Sequence, residues 1–392
     1  MTVQLPLDRP HPLATAPLLR SLQRSGPIHQ VRTRVGDPAW LVTGYDEVRQ
    51  LWSDDRLGMS HPDPDNAARI NDSALFGGKP QGNYETEKED RARFRSLVQP
   101  FFGVKQMRAI QPRVEQLVSD LLDRMSGQPQ PADLHELLAL PLPVLVICEL
   151  LGVPYEDRAR FREWSQAAGA RDDEQLSRQG IGQLWEYTRT LVGRKRAEPA
   201  DDVISGLCAA ENGTLDDDHI AMIAAMLLFA GHETTVVQID AAAVLLLTNL
   251  DQWDAIVADP ALVQSAVEEC LRASHKGGGG VPRYPRTDIE VAGVTIPAGD
   301  LVLLDGGAAN HDTATFAEPE RVDVHRGRGA HLTFGFGAHY CIGAPLARIE
   351  LQAVLRQLIE RFPNLRLAAP VEELPVFTES LTGGFASVPV TW

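Results

Sequence analysis

A mainly α-helical chain with a small β region is what this 392-residue sequence predicts, on three observations. Apolar residues recur at helical spacing through most of the chain. One apolar stretch, from about Thr214 to about Leu250, is long enough for a single helix that crosses a whole domain. Short strand-like runs sit in a few places and never alternate with helices as βαβ units would, which speaks against a dinucleotide-binding fold.

The N-terminal segment MTVQLPLDRPHPLATAPLL is interrupted by prolines and has no basic segment leading into an apolar run, so no signal peptide is expected. A strand is predicted at Ala39–Thr43. Residues 60–89, rich in Pro, Gly, Asp and Asn, read as a long loop of the kind that serves as a lid. Gln111–Met125 sets Val114, Leu117, Val118, Leu121 and Leu122 at helical spacing. Leu134–Leu151 is an apolar helical region stopped by Gly152 and Pro154. Phe161–Glu198, polar and rich in Arg and Gln, reads as a surface helical stretch. Thr214-Leu-Asp-Asp217 has the form of a capping box, with Thr214 at the N-cap and Asp217 at N3. The helix it opens is roughly 50 Å long and apolar on nearly every side, so it is expected to be buried. Strands follow at Ile289–Ile296, turning at Ala292-Gly293, and at Leu301–Leu304. A last helix runs from Pro345 to Phe362.

Composition narrows the function. Charge is acidic, 37 Lys and Arg against 53 Asp and Glu for a net −16, which disfavours nucleic acid and anionic membranes as partners. The apolar run Ala221–Gly231 is shorter than the ~20 residues a membrane span needs, so a cytoplasmic protein that avoids the membrane is expected. Four cysteines, none in a CxxC pair, make neither a disulfide scaffold nor a zinc ribbon. Length alone allows two or three domains, but no linker interrupts the chain.

The segment His331-Leu-Thr-Phe-Gly-Phe-Gly-Ala-His-Tyr-Cys341-Ile-Gly-Ala-Pro-Leu-Ala-Arg348 carries the chemistry. A cysteine behind a glycine-rich aromatic loop stands just ahead of a helix, whose unpaired N–H groups favour an anionic sulfur. Gly335, Gly337 and Gly343 allow sharp turns and close approach to a flat ligand, and Phe334 shields the sulfur. Such a sulfur suits an axial haem ligand.

Phe334-Gly-Phe-Gly-Ala-His-Tyr-Cys341-Ile-Gly343 resembles the haem-binding loop of soluble bacterial cytochromes P450. Other segments agree, in the family's order. Ala230-Gly-His-Glu-Thr-Thr235 is similar to the oxygen-activation motif of the central helix: Ala230 and Gly231 leave room for O2, Thr234 supplies an alcohol and Glu233 an acid for proton delivery. A threonine in such a helix can instead bond back to its own turn. Glu269-Cys-Leu-Arg272 resembles the ExxR motif, with Arg321 of Glu318-Pro-Glu-Arg321 as the expected third member. Arg283, His339 and Arg95 match family partners of the haem propionates, and Arg91 stands where the family usually has His. The run Gly277–Gly280 departs from the bulkier family pattern. It reads either as a wider, more mobile pocket wall or as a surface turn.

The resemblance implies one P450 domain over residues 1–392, with a long central buried helix and a C-terminal haem-binding cysteine loop. Its cofactor is haem b, with Cys341 on the iron and Arg91, Arg95, Ala230, Arg283, Phe334, Gly335, His339 and Gly343 around it. The implied activity is a haem-thiolate monooxygenase of antibiotic biosynthesis, acting on a polyketide, macrolide or peptide that is free or carrier-bound. No flavin motif is present, so electrons come from a ferredoxin and its reductase, docking near Arg348 and the arginines at 91, 93 and 95. The alternatives are an H2O2-using peroxygenase, a silent carrier-binding module of the same fold, and a cysteine hydrolase, for which His339 is a poorly placed base.

Overall fold

Most of the apolar and amphipathic runs become helices, and the strands between them are short. The computed structural model describes residues 3–274, 279–327, 329–377 and 379–392, with backbone alone at 155, 158, 159, 211 and 212. Its helices are α1 (Pro17–Ser25), α2 (Tyr45–Trp52), α3 (Glu87–Val98), α4 (Val104–Ser126), α5 (Pro141–Leu151), α6 (Arg158–Ala168), α7 (Glu174–Ala197), α8 (Val203–Ala209), α9 (Asp217–Thr248), α10 (Leu250–Ala258), α11 (Val263–Ser274), α12 (Gly306–Ala309) and α13 (Ala344–Arg361). Its strands are β1 (Val3–Gln4), β2 (Ile28–Arg32), β3 (Pro38–Val42), β4 (Leu57–Gly58), β5 (Ala132–Asp133), β6 (Val281–Pro285), β7 (Ile289–Val291), β8 (Val294–Ile296), β9 (Val302–Leu304), β10 (Arg366–Leu367) and β11 (Pro389–Thr391). They divide between two compact units, Met1–Glu89 with Thr248–Cys341, and Asp90–Leu247 with Ile342–Trp392.

The first unit is built on a six-stranded sheet in the order β1-β2-β3-β9-β6-β4. Successive side chains of a strand face opposite ways, and here both faces are covered. Val302 and Leu304 join Val42, Val48, Leu51 and Trp52 on one side. Leu301 and Leu303 join Leu19, Val31 and Leu41 on the other. β7 and β8 form the predicted hairpin, with Ala292 and Gly293 at φ 47° and 75°, the two-residue turn that matches strand twist. The long loop of residues 60–86 is closed at its base, where the Glu87 carboxylate accepts from Met59 N (2.7 Å) and Ser60 N (3.2 Å).

Of the run Gly277–Gly280, the first two residues lie outside the described residues. The other two are anchored rather than slack. Gly279 N donates to Asp305 Oδ2 (3.1 Å). Gly280 has φ 89°, and a Cβ there would lie 2.9 Å from the carbonyl carbon of Leu303, so only glycine fits.

The second unit is organised by α9, 32 residues and therefore roughly 48 Å long. It is apolar and long enough to cross a bilayer, yet most of it is buried as the core helix of this unit. Its start differs from the expected capping box. The cap is Asp216, whose Oδ2 accepts from His219 N (3.1 Å), so the helix begins two residues later than Thr214 as N-cap would place it. α4 buries all five of the side chains its spacing selected and packs on α13, where Gln357 reaches Glu115 O (2.8 Å).

Phe161–Glu198 is two helices rather than one, broken at 169–173 where Gly169 ends α6 and Asp173 caps α7 through Leu176 N (2.9 Å). Nor is it all surface. α7 buries Leu184, Thr188, Leu191 and Val192, and Thr188 Oγ1 donates to Ala221 O of α9 (2.9 Å). Leu134–Leu151 opens with a π-helical turn at His135–Ala139 before α5.

Gly180 is where α7 meets α6: a Cβ there would lie 2.6 Å from Trp164 O and closer still to Ala168 N. Backbone cannot yield as a side chain can, so Gly180→Ala should cost about 1–3 kcal/mol in a thermal or denaturant melt. Gly182→Ala, which meets nothing within 4 Å, should cost nothing and serves as the control.

Candidate active site

In the first unit, Cys341 ends a loop shaped by two glycines. Gly335 and Gly337 have φ 74° and 62°, and a Cβ at Gly335 would lie 3.1 Å from His339 O. Cys341 N donates to Phe334 O (2.8 Å), which folds the segment back on itself. The Phe334 ring stands edge-on to Tyr340 at 6.3 Å and tilted against His331 at 5.9 Å. Of the four cysteines, three are buried and Cys341 is exposed. Burial pushes the Cys208 and Cys270 thiols up, so those two are poor candidates for an anionic sulfur. His339 is half-buried on a one-turn 3-10 helix. Arg283 is buried on β6 and donates from Nη1 to Pro282 O (2.7 Å).

The loop is anchored to α11. Arg272 and Glu269 pair through two hydrogen bonds, 2.8 and 2.7 Å, and both are almost wholly buried. Arg272 also donates to the carbonyls of Asn310, Pro319 and Arg321. Asn310 in turn accepts from Leu332 N (2.6 Å) and donates to Thr333 Oγ1 (2.9 Å), and Thr333 donates to Leu271 O (2.8 Å). His331 Nε2 lies 3.1 Å from Glu268 Oε2. The residues before the glycine loop are thus held on α11 by side chains that are themselves held.

In the second unit, the exposed residues of α9 between Ile220 and Leu247 are Met222, Met226, Ala230 and Thr234, a stripe at i, i+4 spacing. Thr234 Oγ1 donates to Ala230 O (2.9 Å), which leaves its oxygen free to accept. Glu233 beside it is largely buried. Its Oε2 accepts from Thr382 Oγ1 (3.4 Å). Burial pushes its pKa up, against the hydrogen bond from Thr382 and the charges of Arg162 and His135, which pull it down. The acid therefore favours its protonated form more than an exposed glutamate does. Arg91 and Arg95 are half-buried one turn apart on α3.

The sequence profile of the cytochrome P450 family matches residues 184–382. Over nearly the whole chain, with 99% of each protein covered, the sequence is 43% identical to pentalenolactone synthase of Streptomyces exfoliatus. It is 37% identical to the mycinamicin IV hydroxylase/epoxidase of Micromonospora griseorubida, covering 99% of this chain and 98% of that one. The structure of substrate-free PimD, a polyene macrolide antibiotic pimaricin epoxidase, matches at a TM-score of 0.91 with 41% identity, over 100% of this chain and 99% of that one.

The chain belongs to the cytochrome P450 family. It is a P450 monooxygenase with the P450 fold, and the family's cofactor is haem b. The residues present fit that group. Among the described residues no three His, Cys, Asp or Glu side chains gather as a metal site, so a metal at Cys341 would lack a full set of such ligands and suits one whose other donors come from an organic ring. The thiol stands exposed on a turn only glycine can make, and the expected propionate partners include a buried arginine, Arg283.

Two expectations about this P450 need correction. The third member of the ExxR network is Arg326, whose Nε lies 3.2 Å from Glu269 Oε1. Arg321 contributes only its carbonyl, and its side chain pairs with Glu318 on the surface. Gly343 has φ −82°, so no left-handed turn requires it. Gly231 gives room to α5, for a Cβ there would lie 2.8 Å from Ile147 Cδ1. His232 of the same motif is wholly buried, its ring 5.6 Å from Phe161 and both ring nitrogens without a hydrogen-bond partner among the described residues.

Burial pushes His232 down to about 3, so its 3.5 Å approach to Glu233 Oε1 is not an ion pair near neutral pH. An unfolded chain binds this proton below its ordinary value near 6.5, while the folded one resists it down to about 3. Stability is therefore lost as pH falls through that window. His232→Leu should remove about 2 kcal/mol of the acid sensitivity seen between about pH 7 and pH 5, measured by denaturant melts at both. Arg326→Ala should cost about 2–3 kcal/mol by stripping a charge-assisted partner from buried Glu269, whereas Arg321→Ala should change stability by less than about 0.5 kcal/mol.

Proposed function

We propose that this P450 hydroxylates or epoxidises a macrolide- or polyketide-sized secondary metabolite in the cytoplasm, with electrons from a ferredoxin and its reductase. Relatives matched over nearly their whole length are named as an epoxidase of a polyene macrolide and a hydroxylase/epoxidase of mycinamicin IV. The exposed Met222 and Met226 on the stripe that carries Thr234 suit a large apolar substrate. The two units are proposed to act as one domain, because two of the three chain crossings between them fall inside the continuous helices α3 and α9.

The single observation that carries the reading is that α9 sets Glu233, largely buried and with its pKa pushed up by burial, next to the hydroxyl of Thr234 on an exposed stripe. Cys341 would hold the iron of haem b, and Phe334, Gly335, Gly343 and Ala230 would be further haem-binding residues, as the family resemblance implies. Arg91, Arg95, Arg283 and His339 would take the propionates. When bound, the haem supplies dioxygen activation, and the thiolate donates electron density that favours O–O cleavage. The protein's own part is proton supply: Thr234 presents a hydroxyl oxygen at the stripe, and Glu233 gives up and regains a proton one residue behind it. Thr382 orients the Glu233 carboxyl by its hydrogen bond.

The first test is the absorption spectrum of the reduced, carbon-monoxide-bound protein. A Soret band shifted far to the red and lost in Cys341→Ser is the expected result; a spectrum indifferent to Cys341 overturns the assignment and favours the silent module. Thr234→Ala and Glu233→Gln should each lower product formed per electron consumed by about tenfold or more. Unchanged turnover with H2O2 in Thr234→Ala would favour the peroxygenase.

A further inference from the structure

The second unit buries one ionisable pair that the reading above leaves unused. His135, on the π-helical turn before α5, and Asp240, on α9, meet at 2.7 Å between Nδ1 and Oδ2. Their side chains are 3% and 1% exposed. Asp240 Oδ1 has no hydrogen-bond partner among the described residues. Seven residues separate Asp240 from Glu233, two turns of α9, so the two carboxyls stand on one face of the same helix.

We propose that His135 and Asp240 are positioning residues for Glu233, a buried charge pair that sets how readily that acid gives up and regains its proton. The inference rests on Glu233 being the proton donor of the oxidation.

The electrostatics run in that direction. The hydrogen bond and charge of Asp240, with lesser help from Asp133 and Glu136, outweigh burial and keep the His135 imidazole protonated more readily than usual. Burial pushes Asp240 up to about 6, against the pull of His135. The His135 charge acts on Glu233 and opposes the upward push of burial there, as Arg162 of α6 does. Arg162 is partly neutralised by Glu136, 3.4 Å away, and is exposed to solvent. His135 is shielded from solvent, so its field acts with little screening. Phe377, with its ring 6.0 Å from the imidazole, adds to that shielding.

Without the Asp240 anion, a buried imidazole loses the charge that keeps it protonated and turns neutral. Glu233 then loses the His135 charge that opposes burial and holds its proton to higher pH. Removing the imidazole has the same sign. Asp240→Asn and His135→Gln should therefore each move the titration of Glu233 upward by the same amount, and the double variant should move it no further than either alone.

The readout is the carbonyl stretch of the protonated carboxyl, followed against pH by infrared difference spectroscopy on the holoenzyme. The band is assigned by its absence in Glu233→Gln. The pH profile of product formed per electron should shift by the same amount. A role confined to packing would lower the melting temperature of both variants and leave the Glu233 band titrating where it does in the parent protein; that outcome overturns the proposal. The reduced carbon-monoxide spectrum of each variant separates the two readings. If the haem-thiolate band is intact and the carboxyl does not shift, the pair has no such role. If Cys341→Ser leaves the band unchanged, the oxidase reading fails whatever the carboxyl does.

Discussion

A guanidinium taken almost completely out of water is the constraint on which the cysteine loop depends. Arg272 is 2% exposed, and removing such a charge from water is tolerated only when its N–H groups all find acceptors. Glu269 supplies two, and the carbonyls of Asn310, Pro319 and Arg321 supply the rest. Those carbonyls cannot be where they are unless residues 310–321 wrap around the end of α11. Asn310, fixed by that wrapping, then turns its amide to Leu332 N and Thr333. The position of the segment entering the glycine loop is thus derived, contact by contact, from one buried charge. The pair is stabilising in the sense that breaking it is costly. It does not follow that it adds stability over an apolar pair of the same shape.

In the second unit the governing fact is how few charges a helix like α9 can hold. His232, Glu233 and Asp240 are its buried ionisable groups among the described residues, and burial acts on all three toward their neutral forms. Each meets that pressure differently. His232 has no partner and stays neutral against Phe161. Asp240 has an imidazole at hydrogen-bond distance and retains part of its acidity. Glu233 lies between the two cases, with one long hydrogen bond and distant cations. An acid that must cycle between its two forms needs such an intermediate setting, since a carboxyl as isolated as His232 would never ionise and a fully paired one would never hold a proton.

How much of this was legible depended on whether the signal was local. The glycine loop, the AGHETT segment and the ExxR pair are each contiguous or one helical turn long, and the sequence read without structure selected their residues. The α4 core followed from spacing alone. What was missed needed contacts between distant parts of the chain or a choice between near-equal neighbours. His135 and Asp240 are 105 residues apart, and nothing in either local pattern points to the other. Arg321 and Arg326 both follow α11 at plausible distances, and which one reaches Glu269 is decided by how the intervening carbonyls wrap around Arg272. Thr214 and Asp216 are both good caps, and the choice fell to the residue whose carboxylate meets a free N–H in the first turn. β6, with the sequence VPRYP, was missed because two prolines argue against a strand, although in the structure both ends of it pair.

The glycine run before β6 shows how a composition signal can point to the right place for the wrong reason. Four glycines suggested either slack in the wall of a pocket or a surface turn. At Gly280 the backbone instead presses on Leu303 in a conformation closed to other residues, which is a requirement for tight fit and not a source of freedom. Gly279 is different: its φ is ordinary and its missing Cβ would meet nothing, while its N–H is tied to Asp305. Asp305 is wholly buried and also caps α12 through Ala308 N, so it fixes the strand's entry to the helix at the other side of β9. An alanine at Gly280 would report strain against the sheet, and only an alanine at Gly279 could report on space beside the chain. The two glycines therefore carry opposite physical roles in adjacent positions.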